Sequence, residues 1–313
     1  MNGFHIDGDC LIVGGGSGND RIALTNHGAA QPIEIYIGPV NPGSPSTIDP
    51  STKVGEVPYG SIDCIKIYGR GGNDYITIAA LIVKSETTIL GGEGDDTVFA
   101  GSGGGGPATI YGGNGNDSLM GGGADDLIYG EAGDDKLGGN NGNDILFGGA
   151  DNDALNGGDG ADIAVGGDGN DLIGGGNARD LLVGGDGQDT VVGNADEDIL
   201  IAAMTDYDDG TAAHINDLKA IMAVWTGAGT ASTRSSSIKA GLTGTGARLD
   251  TTTITDDDWI DVLYGDNTGS ATNGATDWFL CNRTGSNGKA IDTIAYINSL
   301  SAAELAILSA LEN

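Results

Sequence analysis

Between Gly112 and Ile201 an apolar position recurs every nine residues. Ten units follow one another without a gap, from GGNGNDSLM and GGGADDLIY through GGDGNDLIG to GNADEDILI. The eighth place is apolar in all ten: Leu119, Ile128, Leu137, Leu146, Leu155, Ala164, Ile173, Leu182, Val191 and Leu200. The first place is always Gly. The sixth is always Asp, at Asp117, Asp126, Asp135, Asp144, Asp153, Asp162, Asp171, Asp180, Asp189 and Asp198. Glycine at the first, second and often fourth places permits the positive φ angles of a tight turn. The last three residues of each unit predict a short strand whose middle side chain points inward, because strand side chains alternate faces. Two units therefore make one flattened coil, with a strand on each side and a turn at each end.

Stacking coils at roughly 4.8 Å brings equivalent turns next to each other, each presenting an Asp and several carbonyls. Six or so oxygen ligands around such a gap specify calcium. The units resemble the RTX, or haemolysin-type, nonapeptide GGxGxDxUx. That resemblance implies an all-β fold, a right-handed parallel β-roll (the RTX solenoid) with calcium between successive turns on each edge. It also implies a ligand pattern: the second and fourth carbonyls plus Asp of one turn, with the first and third carbonyls plus Asp of the next. On this chain one such site uses Gly113, Gly115 and Asp117 with Gly130, Ala132 and Asp135. Ala124, Ala178, Asp151 and Asp196 replace the fourth Gly, which predicts strained turns or weaker sites there. Arg179 stands at a fifth place, and its cation is expected close to a proposed site.

The same pattern extends upstream with insertions. Asp9 to Ile22 aligns with Asp63 to Ile76 at an offset of 54, or six units. Offsets of 22 from Asp74 to Asp96 and 21 from Asp96 to Asp117 read as one coil plus small insertions. Asp74, Asp96, Asp117, Asp135, Asp153, Asp171 and Asp189 are thus placed on one edge. Asp126, Asp144, Asp162, Asp180 and Asp198 fall on the other. Residues 31–62, strand-like at Ile33–Ile37 and then rich in Pro, read as an excursion from the roll. If they loop out, Cys10 and Cys64 become stacked neighbours, either a disulfide or two small buried residues. Cys281 is expected free and buried.

After Ala202 glycine thins and Trp225, Trp259 and Trp278 appear. Leu218, Ile221, Met222 and Trp225 predict an amphipathic helix over His214–Trp225. The stretches from Trp259 to Gly265 and from Asp277 to Cys281 predict strands that resume or cap the roll, as repeat arrays require at their ends. Ser301–Leu311 reads as a short helix. The organisation expected is 1–90, irregular N-terminal coils with insertions; 91–201, the regular array; and 202–313, a mixed α/β C-terminal cap serving capping, assembly or export.

Charge sharpens the picture. The chain has 45 acidic and 13 basic residues and a net charge of -32. Residues 91–201 hold 22 acids and two bases, Lys136 and Arg179, or -20 of that total. About ten calcium ions between turns would cancel it. So acidic a surface repels phosphate backbones and anionic lipids, which argues against nucleic-acid and membrane partners. No apolar run is long enough to span a bilayer. The start, Met1 to Asp7, has neither a basic region nor an apolar stretch, so no secretory signal is read there. His5, His27 and His214 are too scattered for a zinc site, and HExxH, CxxC and GxSxG are absent from the sequence.

With the roll and its cap accounting for nearly every residue, no catalytic domain is expected. The predicted function is a secreted calcium-binding structural protein of an extracellular matrix, fibre or surface layer. It would fold when calcium fills the Asp columns and homopolymerise through the roll ends or the C-terminal cap. The N-terminus shows no obvious cap, so the first coil is expected to expose strand edges that invite pairing. The alternative is a C-terminal RTX export and folding module of a larger secreted enzyme or adhesin.

Overall fold

A computed structural model describes residues 3–26, 31–40, 49–79, 86–101, 106–229, 231–239, 242, 247–249, 254–255, 262–265, 278–280 and 293–296. The chain divides into two compact units, 1–145 and 146–313.

In the first unit the strands are β1 (Gly3–Asp7), β2 (Cys10–Gly14), β3 (Asp20–Thr25), β4 (Ile33–Pro39), β5 (Lys53–Val57) and β6 (Cys64–Gly71). They continue as β7 (Tyr75–Ile78), β8 (Glu86–Glu93), β9 (Thr97–Phe99), β10 (Ala108–Asn114), β11 (Ser118–Gly122), β12 (Leu127–Ala132) and β13 (Lys136–Asn141). One sheet runs β1-β2-β6-β8-β10-β12 and the other β5-β4-β3-β7-β9-β11-β13. From β6 to β13 successive strands alternate between sheets, and each pairs in parallel with the strand one coil away. Ile110 lies beside Ile128, and Leu119 beside Leu137. This is a parallel β-roll. The irregular offsets also resolve into register: Ile22 beside Ile76, Ile76 beside Val98, Val98 beside Leu119. The inward middle residues Ile22, Ile76, Val98, Leu119, Ile128 and Leu137 are fully buried.

The expectation of open strand edges on the first coil is corrected. A turn at Gly8, with φ 64°, folds β1 back antiparallel onto β2. On the other sheet the 31–62 excursion returns as β4 and β5, both antiparallel, with β4 covering the edge of β3. The Phe4 ring of β1 lies against Gly55 of β5, where a Cβ would have no room. Parallel stacking needs a full coil of chain per strand, whereas a hairpin closes an edge with a short return.

Of the two readings for Cys10 and Cys64, the structure shows the disulfide. The pair are register partners on β2 and β6, with Cα atoms 4.3 Å apart. The bond closes a 54-residue separation, for which loop-closure entropy gives about 4 kcal/mol. A Cys10→Ser, Cys64→Ser double variant is expected to lose stability of that order in these coils. Hydrogen exchange of the β2 and β6 amides measures it.

The second unit continues with β14 (Ile145–Ala150), β15 (Ala154–Asp159), β16 (Ile163–Asp168), β17 (Leu172–Asn177), β18 (Leu181–Asp186), β19 (Thr190–Asn194) and β20 (Ile199–Ile201). After a short strand β21 (Met204–Thr205) come α1 (Ala212–Trp225), α2 (Ala231–Lys239) and β22 (Ile254–Thr255), which pairs with β21. The strands β23 (Val262–Gly265), β24 (Trp278–Leu280) and β25 (Thr293–Tyr296) follow. One sheet has the order β14-β16-β18-β20-β24 and the other β15-β17-β19-β23-β25. The late strands therefore resume the roll in parallel, β23 on β19 and β24 on β20. Cys281 and the helix expected at Ser301–Leu311 lie outside the described residues.

The two faces of the second unit differ. In β14, β16, β18 and β20 the outward residues Ile145, Phe147, Ile163, Val165, Leu181, Val183, Ile199 and Ile201 are buried along with the inward ones. Ala154, Leu172 and Thr190 on the opposite sheet are only half-buried. The first of these sheets is therefore covered on its outside. Chain beyond residue 201 lies over it: β21 packs on β18, and Trp225 at the end of α1 reaches the turn before β20. Thr211 caps helix α1, its hydroxyl accepting from the His214 amide. It buries Ile215, Leu218, Ile221, Met222 and Trp225.

Candidate metal centre

Every turn between the two sheets places its sixth-position Asp just before a strand, with the side chain turned inward. In the first unit Asp74, Asp96, Asp117 and Asp135 precede β7, β9, β11 and β13, while Asp126 and Asp144 precede β12 and β14. In the second, Asp153, Asp171 and Asp189 precede β15, β17 and β19, and Asp162, Asp180 and Asp198 precede β16, β18 and β20. All twelve are buried. The side chains form ladders along each edge. Along a ladder Oδ1 accepts from the backbone N–H of the preceding turn's Asp: Asp74 to Asp96, Asp96 to Asp117 and Asp117 to Asp135 at 2.7 Å each. Asp126 to Asp144, Asp153 to Asp171, Asp171 to Asp189, Asp162 to Asp180 and Asp180 to Asp198 repeat the pattern.

Asp20, not among the sequence-derived ligands, begins the first of these ladders through its N–H to Asp74 Oδ1, 2.7 Å. Its alignment with Asp74 was the available signal. On the other edge the ladder ends in Ala108, whose N–H donates to Asp126 Oδ1.

In six of these side chains the second carboxylate oxygen is left over. The Oδ2 atoms of Asp74, Asp96, Asp117, Asp126, Asp171 and Asp180 are buried and accept no hydrogen bond. Burying a carboxylate so raises its pKa. Desolvation, opposed by the ladder N–H, pushes Asp74 and Asp117 to about 6. In the same way it takes Asp126 and Asp171 to about 7 and Asp96 to about 8. Asp180 is raised well above the ordinary carboxylate range by burial first, then by Asp198 and Asp162.

What faces that oxygen is a carbonyl. A Cβ built on Gly112 would meet Asp117 Oδ2 and stand 2.7 Å from the Gly130 carbonyl of the next turn. Gly121 stands in the same relation to Asp126 Oδ2 and the Gly139 carbonyl at 2.9 Å, and Gly175 to Asp180 Oδ2 and the Gly193 carbonyl at 2.9 Å. Glycine at the first place thus leaves a cradle open between a carboxylate and a carbonyl. Among the described residues no three His, Cys, Asp or Glu side chains gather as a metal cluster. Any site here is made of one or two carboxylates and backbone carbonyls, the hard oxygen donors that suit calcium.

For the site expected from Gly113, Gly115, Asp117, Gly130, Ala132 and Asp135, the structure brings Asp117 Oδ2 and the Gly130 carbonyl to one point. The Gly115 carbonyl is directed at Gly133 of the next turn. The Ala132 carbonyl accepts from the Gly115 N–H at 2.9 Å, and Asp135 Oδ1 accepts from Asp117. Gly113 has φ 118° and lies over the Gly92 carbonyl.

The departures from the repeat sort themselves. Asp151, Ala178 and Asp196 do adopt positive φ, at 79°, 80° and 71°, so those turns are strained as expected. Ala124 is not among the positive-φ residues. Arg179 is directed away from its own turn: its guanidinium pairs with Glu197 at 3.1 Å and donates to the Thr226 carbonyl at 3.3 Å. Glu197 also pairs with buried Arg234 of α2, whose guanidinium lies 4.9 Å from the Trp225 ring centroid. The Trp225 indole N–H donates to the Glu197 carbonyl at 2.7 Å. Glu197 therefore holds both helices to the turn that carries Asp198. Replacing Arg234 by Ala is expected to cost about 3 kcal/mol, since it strips a partner from a largely buried carboxylate. Denaturant unfolding of the calcium-loaded protein measures it.

A second ladder, which the sequence did not announce, runs along the exposed fifth positions. Asn73 N–H donates to Asn19 Oδ1, Asn116 N–H to Asp95 Oδ1 and Asp134 N–H to Asn116 Oδ1. In the second unit Asn170 donates to Asn152 and Gln188 to Asn170. Its signal is the amide or carboxylate at Asn116, Asp134, Asn152, Asn170 and Gln188.

Residues 88–105, 102–137, 138–173 and 174–203 match, in four copies, the family model described as the RTX calcium-binding nonapeptide repeat. No curated protein and no solved structure matches the chain. Among the described residues no helix is long and apolar enough to cross a membrane.

Proposed function

We propose, from a stretch at 88–203 built of RTX calcium-binding nonapeptide repeats, that this chain is an extracellular structural protein. It folds on meeting calcium and then assembles with copies of itself into a fibre, surface layer or matrix. The observation that carries the first step is the row of buried carboxylate oxygens without a donor, each facing a carbonyl across a glycine. Without a cation these stacked charges repel one another in a desolvated gap. About ten ions would balance the -20 of residues 91–201 and make folding and metal binding one event. The Cys10–Cys64 disulfide supports an oxidising compartment.

Support for assembly comes from the open strand edges of the first unit. The outermost strands of the first unit, β1 and β5, each have one neighbour in their sheets and carry exposed Ile6 and Val54. Such edges pair with other chains. The edges available differ from those expected, because β1, β4 and β5 cover the first coil.

Titrating metal-free protein with calcium, with magnesium as control, tests both steps by far-ultraviolet circular dichroism and light scattering. A coil-to-β transition produced by calcium alone, with scattering rising alongside, is the expected result. A transition without growth in size removes self-assembly and leaves the export and folding module. No transition overturns the reading.

A further inference from the structure

The first turn of the roll satisfies its oxygens differently from the later ones. In Gly15–Asp20 the Asp20 Oδ2 accepts from the Gly16 N–H. The corresponding oxygens of Asp74, Asp96, Asp117, Asp126, Asp171 and Asp180 accept from no donor. The Gly15 carbonyl accepts from Nη1 of Arg70 at 2.8 Å. Nη2 of the same guanidinium lies 3.2 Å from where a Cβ on Gly14 would stand. Arg70 is the second residue of the next turn, a place held by Gly in most units, and it has φ 86°. A large residue in the left-handed region is costly and persists where surrounding structure demands it. Here that residue carries a permanent charge back onto the preceding turn.

We propose that the Arg70 guanidinium supplies on the first turn the positive charge that calcium supplies on later ones. The disulfide-linked N-terminal coils then fold without metal and form the surface on which the calcium-dependent coils stack. This rests on the calcium-dependent folding proposed above. Three further features of the same coils fit a pre-formed end. The Cys10–Cys64 bond ties β2 to β6. Antiparallel β1, β4 and β5 close the first coil without further turns. The core residues Leu11, Val13, Ile22, Leu24, Ile65 and Ile67 are fully buried. A solenoid coil gains its strand pairing only from a neighbour already in place, so a metal-independent first coil gives the stack a start and a direction.

Hydrogen exchange of the full, oxidised chain in chelator and in calcium tests this. In chelator the amides of β2, β3 and β6 are expected to exchange at least tenfold more slowly than unfolded chain, while 112–201 exchanges at unfolded rates. Fast exchange throughout overturns the proposal. Slow exchange over 112–201 as well overturns the calcium-dependent folding itself, and this proposal with it. Arg70→Gly, which restores the usual glycine pair, is expected to lose the chelator-resistant protection. It should also bind one more calcium ion than wild type by native mass spectrometry. Arg70→Lys, which keeps the charge, is expected to keep both wild-type properties. An Arg70→Gly protein with unchanged protection and ion count overturns the proposal, as does a lysine variant that behaves like the glycine one.

Discussion

In chelator, acidification from pH 8.5 to pH 5 is expected to bring β-structure back to the nonapeptide stretch, and returning to pH 8.5 to remove it. Burial raises the folded-state pKa of Asp74 and Asp117 to about 6, of Asp126 and Asp171 to about 7 and of Asp96 to about 8, from 3.8. A group whose folded pKa lies above its unfolded value binds its proton more tightly when folded. Its contribution to stability is complete below the unfolded value and is lost as pH rises through the folded one. The window is therefore about pH 4 to pH 8, with most of the change between 6 and 8. A proton on Oδ2 would also turn the orphan acceptor into a donor facing the carbonyl across the cradle, at Gly130 for Asp117. Circular dichroism in chelator across this range measures the effect, and pH 5 stays above the isoelectric point of about 4.1. A metal-free protein that loses β-structure on acidification instead would contradict it. With calcium in excess the dependence should reverse, because protons then compete for the ligands.

Replacing Gly112 by Ala is expected to damage both the packing of the array and its hold on metal. The new Cβ would stand 2.7 Å from the Gly130 carbonyl and 3.1 Å from Asp117 Cγ, and closer still to Asp117 Oδ2. None of these is the far end of a flexible side chain, so relief requires the backbone of two turns to part. Overpacking of this kind costs about 3 kcal/mol. The same methyl fills the cradle between carboxylate and carbonyl, so the calcium midpoint is expected to rise at least tenfold, about 1.4 kcal/mol. Gly60→Ala, where nothing lies within 4 Å, is the control. Calcium titrations of the two variants followed by circular dichroism make the comparison. Equal midpoints would show that the cradle is not where metal is held.

Much of this was legible in the nine-residue period. The eighth position fixes which side chain is inward, and Leu119, Ile128, Leu137, Leu155, Ile173, Leu182 and Leu200 are fully buried as read. The offsets of 54, 22 and 21 located the coils of the irregular part, because strand pairing transmits register across insertions of any length. Helix α1 declared itself by its apolar spacing. Helix α2 did not, because ASTRSSSIK has almost no apolar face to show. The seventh and ninth positions are apolar on alternate units, at Ile145 and Phe147, Ile163 and Val165, Leu181 and Val183, Ile199 and Ile201. That second period, twice the first, marks the sheet whose outside is covered.

By itself the sequence determined the roll, its inward column, the two edges and the Asp at each turn. Those features repeat, and each is set by residues within one unit and its stacked neighbours. Only the tertiary structure decided how the array ends and what its exceptions do. Arg179 is directed at Glu197 and holds the helical layer, Arg70 reaches back to Gly15, and β1, β4 and β5 turn antiparallel to close the first coil. The physical reason is range. Backbone conformation and side-chain facing follow from local spacing, whereas the partner of a charge or an edge is whichever distant segment the fold brings within a few ångströms.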